Sequence, residues 1–115
     1  MNQFIQEKNL PIKVGEKFLL KNLVSYKDGE ITSIEIASND KAKIILKAFT
    51  TGQELPPHSA PGTVIIFALE GEAVIGYEGN EYIIKEGEQF SFAKNGMHFV
   101  KATKKFKMAL VILFD

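Results

Sequence analysis

With 115 residues, 45% of them hydrophobic and 24% charged, the chain has the size and composition of one globular domain; disorder of the body is excluded, and a core burying roughly two-thirds of the unfolded surface can form. Lys plus Arg is 14 and Asp plus Glu is 14, so the basic surplus that displaces counterions from phosphates is missing and no nucleic-acid partner is expected. Cys is absent, which removes disulfides, thiolate nucleophiles and thiolate metal sites.

The first sixteen residues, broken by Pro11 and Gly15, read as an arm, and residues 17–115 as a single barrel domain. After Met1, only Phe4 and Ile5 are apolar as far as Lys8, so no secretory apolar region is present. No apolar run approaches the ~18 residues of a membrane span. The expectation is a cytoplasmic protein with no membrane partner.

Beyond the arm the hydrophobic period is two. Ala42, Ile44, Leu46 and Ala48 fall on one face, and Lys41, Lys43 and Lys47 on the other, the pattern of a half-buried strand. Val64 to Leu69 is apolar throughout and rich in β-branched residues, which suits a strand covered on both faces. Turn signals recur at Asp28-Gly29, Asn39-Asp40, Gly79-Asn80 and Glu86-Gly87, with Gly79-Asn80 read as a tight hairpin. Strands are predicted at 17–24, 30–37, 41–50, 63–70, 72–78, 81–85, 88–93, 97–103 and 106–114. Many short strands at this spacing, with no long amphipathic helix, define an all-β sandwich or barrel. The final strand, Met108 to Phe114, is apolar on both faces. One face can line a core; the other needs a cover, for which a second copy in a C2 homodimer is preferred over residues 1–16 of the same chain. Lys101, Lys104, Lys105 and Lys107 read as a solvated hairpin end.

Two segments carry the chemistry. The first runs from Gly52 through Pro56-Pro57-His58-Ser59-Ala60-Pro61-Gly62-Thr63-Val64 to Leu69-Glu70-Gly71-Glu72-Ala73; the second runs from Gly87-Glu88 through Phe90, Phe92 and Ala93 to His98. Together they resemble the two motifs of the cupin family, G-x5-H-x-H-x3,4-E-x6-G and G-x5-P-x-G-x2-H-x3-N, over about residues 40 to 114. The resemblance implies a double-stranded β-helix, or jelly-roll barrel, of two antiparallel sheets. It also implies a divalent metal held by three His and one Glu. Mapped onto this chain, those positions are His58, Ala60, Val64 and His98, so two ligands are replaced by apolar residues. The second motif's Pro, inner Gly and final Asn fall at Ala93, Asn95 and Ala102.

Two donors fall short of the three protein ligands of a catalytic zinc site, and the carboxylate of a non-haem iron face is missing. Nothing places Glu54 or Glu88 in the pocket, Thr63 points the wrong way along its strand, and a Met108 thioether suits only soft metals. No cofactor is required on this reading; a weakly held divalent ion (zinc, nickel, iron or manganese) on His58 and His98 is the alternative. If both histidines face inward, strand parity adds Ala60, Val64, Ile66, Ala68 and Val100 to the pocket wall, with Phe90, Phe92 and Met108 beside them. Shortening two ligand positions to Ala and Val leaves volume that either collapses or accepts a small molecule.

Three functions are therefore in view. The first is a module binding a small apolar or carbonyl-bearing molecule, with His58 and His98 as polar handles. The second is a degenerate metalloenzyme of oxygenase, isomerase or decarboxylase type. The third is a non-catalytic subunit with a vestigial pocket. The chain has no room for an attached helix-turn-helix, which argues against a transcription factor.

Overall fold

The computed structural model describes residues 12–114. Among them are nine strands: β1 (Ile31–Ser38), β2 (Ala42–Phe49), β3 (Glu54–His58), β4 (Thr63–Glu70), β5 (Glu72–Tyr77), β6 (Asn80–Lys85), β7 (Gln89–Phe92), β8 (His98–Ala102) and β9 (Phe106–Leu113). They form a five-stranded sheet, β1-β2-β9-β4-β7, and a four-stranded sheet, β3-β8-β5-β6, in which the paired strands are antiparallel. This is the predicted double-sheet jelly roll.

The main core lies between the sheets. Phe49, Val64, Ile66, Phe92, Phe106 and Met108 of the larger sheet meet Ile75, Ile84 and Val100 of the smaller one in a single cluster. β4 shows why its apolar run is continuous. Val64, Ile66 and Ala68 enter this core, while the alternate residues Ile65, Phe67 and Leu69 lie on the outer face. A second cluster forms on that outer face, where Val24, Leu20, Leu23 and Tyr26 cover Leu46, Ala48 and Ala109.

The covering segment corrects the strand predicted at 17–24: its regular element is a single 3-10 turn, Leu20–Asn22. Leu19, Leu20, Leu23 and Val24 recur at the spacing of a helical turn, and tertiary packing on the sheet decides between the two patterns. Its far end is clamped by Tyr26, whose hydroxyl donates to Glu70 Oε2 at 2.5 Å. Burial, then the hydrogen bond to Glu70 and the charge of that carboxylate, push the Tyr26 hydroxyl pKa up. The ammonium groups of Lys105 and Lys107 lie 5.3 and 4.8 Å from the Tyr26 ring centroid, and Lys107 also donates to the Lys21 carbonyl at 2.6 Å. Two of the four clustered lysines thus fasten this segment. The arm predicted for residues 1–16 lies, as far as Pro11, outside the described residues.

β3 is the strand that sequence periodicity misses, because Pro56 and Pro57 sit inside it. It is an edge strand, where a missing N–H costs no ladder bond on the open side. Its register runs Leu55↔Val100 and then His58↔His98, so Pro56 and Pro57 oppose Phe99 alone. This bulge has a consequence for the site. In a regular strand, residues 55 and 58 would face opposite ways; the extra residue turns His58 to the face that Leu55 and His98 share.

The hairpin joining β5 and β6 turns on Glu78-Gly79, with φ of 49° and 87°, and not on Gly79-Asn80, since Asn80 already pairs with Tyr77. Positive φ at both central residues matches the right-handed twist of the flanking strands.

Candidate functional site

His58 and His98 come together as a directly opposed pair on β3 and β8. Their ring centroids are 4.3 Å apart at 60°, edge to face. The two environments differ: His98 is 4% exposed, whereas His58 is exposed at the rim. His98 lies flat on Phe92, with centroids 4.0 Å apart and planes 7° apart.

Each imidazole is fixed by its own backbone. His58 Nδ1 lies 2.8 Å from the Pro56 carbonyl, and His98 Nδ1 lies 3.0 Å from the Gly96 carbonyl. A carbonyl only accepts, so Nδ1 carries the proton and donates in both rings. In a neutral ring so held, Nε2 is the lone-pair nitrogen. Burial lowers the His98 pKa from its ordinary 6.5, and the charge of His58 adds to that, while the bond to Gly96 opposes it. His98 is therefore a neutral acceptor at pH 7.

The predicted pocket wall divides in two. Val64, Ile66, Ala68, Phe92, Val100 and Met108 are all at most 3% exposed and close on one another, with Ala60 and Phe90 packed against them. The volume left by short residues at 60 and 64 is taken up by side chains. Phe92, paired with Val64 across the sheet, fills the space beneath His98. Aromatic residues complete the filling: Tyr77 lies 5.3 Å from Phe92, Phe90 5.4 Å from Phe92, and Tyr82 4.8 Å from Phe90.

An open groove of about 220 Å³ lies beside the β5–β6 hairpin, on the outer side of the smaller sheet where the Phe99 ring crosses Gly76; His98 lines it with Pro57, Tyr77, Glu78, Met97 and Phe99 among others, and His58 does not. Of the predicted wall residues, His98 lines it. Sequence reading missed Tyr77, Glu78 and Phe99. The signal for Tyr77 was present in the alternation Ala73, Ile75, Tyr77, whose first two members are fully buried.

The donor set does not fit a resident catalytic metal. Ala60 and Val64 sit in the hydrophobic cluster, Glu54 stands opposite Lys101 in the register of β3 and β8, and Glu88 Oε1 accepts the Lys85 N–H in a turn. Among the described residues, no group of three or more His, Asp or Glu is placed to hold a metal ion. Two imidazoles with anchored Nδ1 atoms have the orientation that suits a ligand nitrogen, but two are too few.

A closed pair of antiparallel sheets with an inward histidine on β8 and its partner on an edge strand defines a small double-stranded β-helix barrel. The comparisons agree. The family model Cupin_2, "Cupin domain", matches residues 46–114, and the chain belongs to that family. A conserved protein of unknown function from Streptococcus pyogenes superposes with a TM-score of 0.88 at 23% identity, covering 97% of this chain and 95% of its own. A cupin superfamily protein from Desulfitobacterium hafniense does so with a TM-score of 0.87 at 24% identity, covering 96% and 99%. A cupin 2 conserved barrel domain protein from Leptotrichia buccalis is 32% identical with a TM-score of 0.81, covering 84% of this chain and 47% of that one. No curated protein matches the chain. Among the described residues, no helix is long and apolar enough to cross a membrane.

Proposed function

We propose that this cupin is a binding module that holds a small molecule beside the His58–His98 pair, next to the groove that His98 lines, with the two imidazoles as its polar contacts and no resident metal. One observation carries the reading: both Nδ1 atoms are committed to backbone carbonyls, which leaves Nε2 of each neutral ring as the acceptor for a ligand. The complementary ligand has an apolar or aromatic body and a hydroxyl or N–H that donates to Nε2. A ligand offering only a carbonyl would need an imidazolium donor, which the burial of His98 disfavours. The metal-dependent alternative has two of its nitrogen donors and lacks the rest.

The test is thermal shift and calorimetry on protein purified without an affinity tag, comparing phenethyl alcohol with its methyl ether. The alcohol is expected to bind more tightly, and His98→Ala to abolish the difference. Equal affinity for both compounds, or stoichiometric metal that disappears in His58→Ala, would overturn the reading.

We also infer that the working form is a homodimer. The outer face of the five-stranded sheet supports this. Ile44, Val111 and Ile65 are aligned across β2, β9 and β4, and Phe67 and Leu113 beside them are 36% and 43% exposed. A face meant for water would alternate polar residues there.

A further inference from the structure

We propose that Glu78 is a positioning residue for His98, holding the turn before β8 in the conformation that keeps Nδ1 on the Gly96 carbonyl and leaves Nε2 as the acceptor; the inference rests on the role given to His98 above. Glu78 is a glutamate at positive φ, a conformation in which Gly, Asn or Asp is at ease and a longer side chain is strained. What it does there is specific. Its backbone N–H donates to the Met97 carbonyl at 3.2 Å, and its carboxylate Oε2 accepts the Met97 N–H at 2.7 Å. Both polar groups of the residue next to His98 are thus held by one side chain and its own backbone.

The rest of the turn is held from the same hairpin. The Tyr77 hydroxyl accepts the Ala93 N–H at 3.1 Å. Gly96 closes the turn onto the Ala93 carbonyl at 2.9 Å, and a Cβ on Gly96 would lie 2.8 Å from the Tyr77 ring. Asn95, at φ 66°, donates its N–H to the Ala60 carbonyl at 2.9 Å. The Gly96 carbonyl so placed is the acceptor for His98 Nδ1. Releasing Met97 frees Gly96, and with it the bond that chooses the His98 tautomer. A strained residue retained at a site margin is a pointer to function, and here the strain sets the carboxylate where only its length can reach.

The substitutions Glu78→Gln and Glu78→Asn separate this role from hairpin stability. Gln keeps the reach and an acceptor oxygen. Asn suits positive φ better than Glu, so the hairpin is kept, but it is one methylene too short to reach Met97. The readouts need no ligand: the His98 tautomer from 15N shifts of the imidazole, and amide exchange at Met97. Glu78→Gln should match the wild type in both. Glu78→Asn should melt no lower than wild type, exchange faster at Met97, and lose Nδ1–H preference at His98 by about five- to tenfold, the equivalent of one net hydrogen bond. If Glu78→Asn frees Met97 while His98 keeps its tautomer, Glu78 is only a hairpin staple and the proposal fails. It fails equally if Glu78→Gln behaves as Glu78→Asn does. Either result would leave the ligand-binding reading to stand or fall on its own test.

Discussion

A histidine stacked on a phenylalanine and all but closed off from water is a poor place for a proton. The His98 pKa lies below 6.5 chiefly because burial penalises the cation. Between that lowered value and 6.5, the unfolded chain binds more protons than the folded one. The stability tied to His98 is therefore whole above pH 6.5 and is lost as pH falls through the window to the folded pKa. Melting temperatures measured from about pH 7 to about pH 5 should fall more steeply for the wild type than for His98→Gln, which cannot titrate there. Parallel slopes would contradict the assignment. The same contact predicts the effect of Phe92→Ala. Removing a fully buried ring should cost about 3–5 kcal/mol in urea unfolding and, by letting water under the imidazole, raise the His98 pKa toward its ordinary value. At the other end of the molecule, Tyr26→Phe removes the bond to Glu70. The expected cost is about 1–2 kcal/mol, with the segment over Leu46 and Ala48 the first to lose amide protection.

At the scale of elements, the bend between β4 and β5 is the firmest local constraint. Gly71 sits at φ 82°, and a Cβ there would run into the backbone carbonyl of Lys105. Gly71→Ala should destabilise by about 2–4 kcal/mol, because neither the φ nor the neighbour can give. Gly79 has a similar φ with nothing within 4 Å of an added Cβ, so Gly79→Ala should cost only about 1 kcal/mol of backbone strain. Equal losses would show that the close approach at Gly71 is absent in solution.

Strands were legible wherever period-two alternation or an uninterrupted β-branched run set them, as in β2 and β4. β3 was not, because proline in a strand reads as a breaker unless the strand is known to lie at an edge. Residues 17–24 were not, because apolar spacing there is short enough to fit a strand or a helical turn. That His58 and His98 share one side was implied by the resemblance to the two cupin motifs; their direct opposition was not, because it depends on the bulge in β3. What the sequence withheld was the filling of the interior. Whether the space beside Ala60 and Val64 stays open depends on where Phe92 and Tyr77 turn, and that is a matter of packing rather than of pattern.

Across the whole molecule, the two faces of the larger sheet are apolar for different reasons. The inner face meets the smaller sheet, and part of the outer face is covered by Leu20, Leu23 and Val24. The remainder, around Ile44, Ile65 and Val111, is the expected contact between two copies. Light scattering after gel filtration should give about twice the 12.8 kDa of one chain for the wild type. A lysine at either centre, Val111→Lys or Ile65→Lys, should give a folded single chain. A wild type that stays single at high concentration would remove the dimer.

The paired prolines of β3 matter for how such a molecule behaves in a crowded solution. A stray extended peptide that tried to lengthen the smaller sheet beside the imidazoles would meet a strand bent by its bulge and stiffened by two prolines, a poor template for a regular ladder. The same two residues that re-aim His58 thus make that edge a poor seed for fibre growth.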